Sequence, residues 1–568
     1  MPSITTKTKK NSTSKYYYYS HSYRVKVDPR ADGKGRGSGK SRVITEEVYL
    51  GNAEDVLRKC QASLEPQAIQ QKSFALECAP LAVAQDLDLV GIIDRHVNKR
   101  DQGVSIGTYL VIAAINRLAK PTSRSGIADW FEKTVLPEKL HVDPGLLHSK
   151  NFWDAFDKVL PEKDHHPALE SDVIRGIEKD IWEQLLSRYQ VHLDPILYDT
   201  TNFFTFIDPL TPGELAKFAK SKDGKKNRRC VGLGLGLSSF DGFPLFHLVY
   251  SANKHDSRLF PTAIRDLCQR FGDMCRTVKG ATLVMDKGNN SLDNIQLAAK
   301  ERITVVGSLV PSQNQDLLHK DLKSYRDEVL GCPVYREERE VFGIPGVVAV
   351  TFNANLQKRQ QLRLKERLAK AELAVAEAFA RFKDKDNKAA MEKRIQNILK
   401  GSGVRSCFRL EIGGRRHKTL QFRQDARKIR EKKLAAGKTI LFSTDPGMRS
   451  RELVTLYRSR GKVEATFRLA KDPHGVPFRP MHCWTDSKIR VYAFICVLAL
   501  LIWRVMQYKL RQVGLKMSDG VLRKELEDLK EIVLMYSPGR VVRKISELST
   551  VQKELVAALG LHRYFPKG

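Results

Sequence analysis

Polarity first alternates near the start of the chain. Tyr17, Tyr19, His21, Tyr23, Val25 and Val27 take every second place, which is the period of a strand. Residues 42–50 repeat that texture after a Gly-rich basic stretch, so a β-hairpin is predicted over 15–52, behind a disordered basic tail over 1–14. From 80 to 160 the pattern shifts to short helices broken by Pro, Gly and Ser, with examples at 105–118 and 123–132. Residues 168–189 read as a longer amphipathic helix. Beyond it the texture changes again. Residues 195–206 are β-branched and aromatic, and 230–238 and 244–251 read as strands joined by a Phe240-Asp241-Gly242 turn. A helix at 259–271 follows, then two nearly continuous apolar runs, 281–286 and 303–310, as expected of strands buried on both faces. This order predicts an α/β layer with a mixed sheet.

Residues 351–440 interrupt that layer. Leu364, Leu368, Ala371, Val375, Phe379 and Phe382 recur at steps of four and three, the mark of a long amphipathic helix. A strand at 407–412, a basic helix at 425–433, a strand at 438–444 and a helix at 451–471 complete the pattern. The apolar run 491–503 is closed by Arg504, too short to span a bilayer, and predicts a buried core helix rather than a membrane partner.

Charge changes the picture more than composition does. The 568 residues are 42% hydrophobic, enough for a sizeable core, and the length suggests three to four domains. Against 65 Asp and Glu stand 97 Lys and Arg, a net charge of +32. Residues 351–440 hold 25 basic and 9 acidic side chains, and residues 1–42 hold 11 and 2. Such a chain is drawn to polyanions, which names a partner and not an activity. The nine cysteines include no C-x-x-C pair, which argues against a disulfide framework and a zinc knuckle. With no apolar segment at the basic N-terminus, a secretory signal is not expected and the cytoplasm is the expected compartment.

Candidate chemistry rests on three carboxylates. Asp199 lies within the first predicted buried strand, and Asp286 ends a later one, followed by Gly288. Taken alone, each reads as a turn or capping residue. Glu464 belongs to a set, Tyr457, Arg460, Glu464 and Lys471, spaced by three, four and seven residues. At about 100° per residue they fall at roughly 0°, 300°, 340° and 320°, one narrow helical face beside an apolar stripe of Leu456, Val463 and Phe467. By geometry alone this is an ordinary charged helix face.

The combination resembles the bacterial insertion-sequence transposases of the DDE type, in the branch with the Tyr-x2-Arg-x3-Glu-x6-Lys signature. Tyr457, Arg460, Glu464 and Lys471 match that spacing at every position. The likeness continues through Asp199-Thr200-Thr201, Asp286-Lys287-Gly288, Thr444-Asp445, Arg479-Pro480 and His482-Cys483-Trp484. Gly461 departs from it, standing where an aromatic residue is usual. The resemblance implies a ribonuclease H-like mixed-sheet catalytic core carrying an inserted basic subdomain, behind an N-terminal β-hairpin and helical DNA-binding region. In residues, this divides the chain into a tail (1–14), hairpin (15–52), helical DNA-binding region (53–165), core (166–330), basic insertion (331–437), second core segment (438–510) and C-terminal helical region (511–568). It further implies Asp199, Asp286 and Glu464 as catalytic ligands of Mg²⁺, for which Mn²⁺ can substitute, and Tyr457, Arg460 and Lys471 as DNA contacts. The implied activity is binding of terminal inverted repeats, then metal-dependent cleavage and transfer to target DNA, by a homodimer on paired ends in a bacterial nucleoid. A transposase-derived binding protein and a ribonuclease H-like nuclease are the alternatives. Asp194, Asp208 and Asp256 read as turn or capping residues, Lys287 as solvated, and His482 as structural.

Overall fold

The computed structural model describes the chain except for residues 1, 9–12, 27–40, 99–102, 167–169, 190, 193, 223, 225–226, 255, 272–280, 382–387, 414–418, 537–539 and 567–568. Val27, the Gly-rich loop and Phe382 therefore lie outside the described residues. The chain divides into two compact units. One comprises Met1–Ala79, Phe131–His141 and Val521–Gly568; the other comprises Pro80–Trp130 and Val142–Gly520.

In the first unit, strands Lys15–Lys26 and Ser41–Asn52 pair antiparallel, as the alternation predicts. The tail is not wholly disordered. Pro2–Thr8 forms a third strand, in register from Pro2 opposite His21 to Thr8 opposite Lys15. Its Ile and three Thr residues favour extended backbone, and that outweighs its polar composition. A second correction concerns the C-terminal region, which is not all helical. The β-branched segments Lys530–Tyr536 and Arg540–Ile545 form strands, and the first also pairs with Ala68–Ser73, a strand within the region expected to be helical.

The second unit is built on a ten-stranded mixed sheet. Its core strands are β1 (Ile196–Phe204), β2 (Arg229–Ser238) and β3 (Pro244–Ser251), then helix α1 (Asp256–Phe271), β4 (Thr282–Met285), helix α2 (Leu292–Lys300) and β5 (Thr304–Ser308). In space β3, β2, β1, β4 and β5 are neighbours in that order. The first three are antiparallel; β1, β4 and β5 run parallel. The Gly-x-Gly-x-Gly texture of β2 has a steric cause. A Cβ at Gly232 would stand 2.3 Å from the Tyr250 ring, and one at Gly236 would stand 2.2 Å from the Phe246 ring, so these aromatics lie directly across the glycines they pair with.

The sheet then continues into the basic insertion. β6 (Cys332–Val341) and β7 (Ile344–Phe352) extend it, because the run Val347–Val350 is apolar and wholly buried. At Phe352 the chain leaves the sheet for helices Ala354–Ala380 and Lys388–Ser402, the strand pair Phe408–Gly413 and Thr419–Gln424, and helix Ala426–Ala435. This module has its own core, with Leu368, Val375, Met391, Ile395 and Leu399 among its buried residues. The chain returns as β8 (Lys438–Ser443), which lies between β7 and β5 and is antiparallel to both.

The stretch predicted as one helix over 451–471 is two, α3 (Ser450–Ser459) and α4 (Gly461–Lys471). Arg460 between them keeps right-handed helical angles, φ −53° and ψ −26°, so the spacing of the signature survives the break. A further helix, α5 (Asp486–Gln512), is long and apolar enough to cross a membrane by length and composition, yet 94% of its apolar window is buried in the protein.

Candidate active site

Strand register brings the first two carboxylates level. Tyr198 of β1 pairs with Met285 of β4, so the next residues, Asp199 and Asp286, stand side by side on adjacent parallel strands. Such strands lie about 4.8 Å apart. Asp286 is the last extended residue before a single turn, Lys287–Asn289. The third carboxylate arrives from α4, which packs on β1. Asp199, Asp286 and Glu464 line one cleft of about 300 Å³, together with Lys222, Arg468 and Lys471.

A cation already sits between two of the acids. The Arg460 guanidinium donates through Nη1 to Asp286 Oδ1 at 2.6 Å and through Nη2 to Glu464 Oε1 at 2.7 Å. Burial works against the charge of Arg460, but the Glu464 and Asp286 carboxylates outweigh it and hold the guanidinium protonated well above its ordinary range. Among the described residues no three carboxylate, histidine or cysteine side chains gather closely enough to enclose an ion. Burial pushes the Asp199 carboxyl up; the Thr200 amide, which donates to it at 2.8 Å, pulls it down, as do Arg460 and Lys222.

The other residues of the signature are accounted for individually. The Tyr457 hydroxyl accepts from Arg460 Nη1 at 3.3 Å, and burial raises its pKa. Lys471 ends α4 with its ammonium 5.8 Å from the Phe203 ring centre. Thus Glu464 and Lys471 reach the cleft, while Arg460 and Tyr457 form a bonded group behind the acids.

Lys222 was not legible as a site residue. It stands on the loop before β2, and its ammonium donates to the Thr200 carbonyl at 2.7 Å, one residue from Asp199. Asn202 fixes this loop by accepting from the Lys222 amide at 2.8 Å and donating to the Lys220 carbonyl at 3.0 Å. No local pattern signals it, because the contact joins a loop to a strand twenty residues away. Of the weaker candidates, Asp208 accepts from the Leu210 amide at 2.7 Å as a turn group, whereas Asp194 accepts from the Thr282 amide at the start of β4, a tie between distant segments and not a turn bond. Asp256 is the first residue of α1.

Two solved transposase structures are similar to the chain at a distance. A piggyBac transposase synaptic complex with hairpin DNA shares 10% identity over 79% of each chain, with a TM-score of 0.38. A Mos1 transposase paired-end complex with the left transposon end shares 9% over 37% of this chain and 60% of the other, with a TM-score of 0.15. Likenesses this loose carry no argument. No curated protein matches the chain. The sequence itself is more decisive: a family model described as the transposase DDE domain matches residues 207–502, a span that takes in Asp286 and Glu464 and begins just after Asp199. Enzymes of this family use divalent metal ions. Since the match covers more than half of the chain, the protein belongs to the DDE transposase family and is a DNA transposase.

Proposed function

We propose that the protein is an insertion-sequence transposase of the Tyr-x2-Arg-x3-Glu-x6-Lys branch, with Asp199, Asp286 and Glu464 as ligands of catalytic Mg²⁺, replaceable by Mn²⁺. The observation that carries this reading is the common cleft reached by carboxylates from β1, β4 and α4. The donor set suits a hard cation, since all three are oxygen ligands and two of them already share the positive charge of Arg460. The strand order β3-β2-β1-β4-β5, antiparallel then parallel, supports a ribonuclease H-like core. When bound, the metal would activate the attacking oxygen and stabilise the leaving one at phosphorus.

This chain's own residues would do the rest. Asp199 is fixed by the Thr200 amide, and Lys222, Arg468 and Lys471 offer positive charge to the phosphates flanking the cut. Released from the acids, Arg460 becomes a further phosphate contact beside Tyr457. Water attacks first and exposes a 3′-OH at the element end, which then attacks target DNA. The element ends are bound by a homodimer, with the N-terminal sheet and helices (15–165) holding terminal repeats. A cleft of about 620 Å³ between the insertion and residues 311–319, lined by Arg363, Arg367, Lys428 and Lys432 among others, supports a DNA contact there as well. The compartment proposed is a bacterial cytoplasm, on the nucleoid.

Substitution tests the reading. Asp199→Asn, Asp286→Asn and Glu464→Gln should each abolish cleavage and strand transfer on a duplex carrying the element's end, while gel shifts show end binding intact. Retained cleavage in any one of them would sink the assignment.

A further inference from the structure

Where β1 runs out past the cleft, the chain becomes apolar and exposed together. Phe206 is 66% exposed, Leu210 91% and Phe218 57%. Singly, exposed apolar side chains call for no explanation, but these three stand on a stretch that is firmly tied down. The buried Arg229 guanidinium donates through Nη1 to the Asp208 and Thr211 carbonyls, at 2.7 and 2.8 Å, and through Nε to the Ala216 carbonyl at 2.7 Å. Its own carbonyl accepts from the Thr205 amide at 2.7 Å, next to Phe206, and Phe218 lies opposite Arg229 in the strand ladder. At the start of α5, the buried Asp486 carboxylate accepts from the Glu214 and Leu215 amides at 2.6 and 3.1 Å. Phe206 is therefore held out in water by a fixed base and not by a loose loop, so little ordering is left to oppose a ligand that covers it.

Cations accompany the ring. The exposed Arg228 guanidinium stands 5.3 Å from the centre of Phe206. The Phe204 ring meets Phe206 edge-on at 5.6 Å and carries the Arg479 guanidinium over it at 4.2 Å. Arg479 in turn donates to the carbonyl of Lys471, a residue of the carboxylate cleft, at 3.3 Å. Phe203 and Phe204 turn to opposite faces of β1, so the segment from Lys471 to Arg479 wraps the end of the strand and meets one ring on each face. A row of contacts thus joins the cleft to an exposed ring with a cation on it. Three residues of chain, at most about 10 Å, separate Phe203 from Phe206, a gap that a DNA strand crosses in about three nucleotides. Of the acids on the stretch, Glu214 pairs with Lys217 at 3.5 Å and Asp208 accepts from the Leu210 amide; neither pairs with Arg228.

A phenyl ring has no hydrogen-bonding group and reads no sequence, whereas its face stacks on any base whose own face is open. A base inside a duplex is covered by its neighbours, so the ring suits a strand that has come unpaired beside the cut. We propose that Phe206 and Arg228 form a platform for that single strand, Phe206 stacking on an unpaired base and Arg228 taking an adjacent phosphate, with Arg479 and Phe204 behind them. The proposal rests on the three carboxylates marking where DNA is cut. Its test reads binding, so either can fail while the other stands.

The test is fluorescence anisotropy with a labelled blunt duplex and the same duplex carrying an oligothymidine tail at its 5′ or 3′ end. The wild type should bind one of the tailed duplexes at least about fivefold more tightly than the blunt one. Phe206→Ala should lose that preference and keep its affinity for the blunt duplex, and Phe206→Tyr should retain the preference. Arg228→Gln should lower the slope of log affinity against log salt on the tailed duplex by about 0.7, the share of one phosphate on a single strand. No preference for a tail in the wild type, or the same preference in Phe206→Ala, overturns the proposal. So does an equal loss on blunt and tailed duplexes in Phe206→Ala, which would make the ring a duplex contact.

Discussion

Arg460 holds together two carboxylates that the proposed metal ion would also claim, so its removal should strengthen metal binding in the protein without DNA. The perturbation is Arg460→Gln, which keeps the helical turn and removes the charge. The Arg460 side chain is 14% exposed, while Asp286 and Glu464 expose 36% and 55% of theirs. Ion pairs this open to water sit near the top of the surface range, about 1 kcal/mol each. Breaking both costs an incoming cation about 2 kcal/mol, or about 30-fold in Kd. Calorimetric or electron-resonance titration of Mn²⁺ into the DNA-free protein should show that gain in Arg460→Gln. The double variant with Glu464→Gln should lose most of it. Equal or weaker binding in Arg460→Gln would refute the reasoning and leave Arg460 as an aid to the metal rather than its rival.

Three further outcomes follow from the packing. Gly461 opens α4 with nothing within 4 Å of the Cβ it lacks, so Gly461→Ala should stabilise the protein by about 0.5–1 kcal/mol in urea unfolding; a loss would reveal a needed hinge at the helix break. A Cβ at Gly346 would meet the Ser443 carbonyl at 2.4 Å, so Gly346→Ala should cost at least about 2 kcal/mol and lower the melting temperature; an unchanged melt would contradict the pairing of β7 with β8. Burial raises the Asp266 carboxyl from 3.8 to about 7, more than Arg175 lowers it. An acid held protonated in the fold loses stability as pH rises through that window, because the unfolded chain releases its proton first. The stability gap between Asp266→Asn and wild type should therefore move in the variant's favour from pH about 4 to about 7, by up to about 4 kcal/mol, and then stop. A gap flat with pH would show that Asp266 is ionised in the fold.

What could be read beforehand follows from how local each signal is. The runs that became β4 and β5 were legible because a strand buried on both faces needs apolar residues at every position. The signature helix was legible because its residues lie within one chain segment, where spacing translates directly into a shared face. Pro2–Thr8 was not, since a polar Thr- and Lys-containing strand on an open sheet carries no hydrophobic alternation and is recognised only by its partner. Lys530–Tyr536 was hidden in the same way, its pairing with Ala68–Ser73 spanning most of the chain. At the site, the three carboxylates that share the cleft could be named as candidates beforehand, while Lys222 and the double ion pair of Arg460 could not. Both depend on side chains from separate segments meeting, which no periodicity records.

The junction of β7 and β8 has a meaning for how this enzyme can change. Phe352 pairs with Lys438, and the Asn353 amide donates to the Gly437 carbonyl at 2.9 Å, so the module over 354–436 departs and returns through one doorway between neighbouring strands. A two-residue turn could close that doorway with the sheet's ladder undisturbed. The module, with its separate core, is in this sense a cassette plugged into a finished catalytic sheet, and its size, charge and shape are free to vary from one element to another without renegotiating the chemistry beneath.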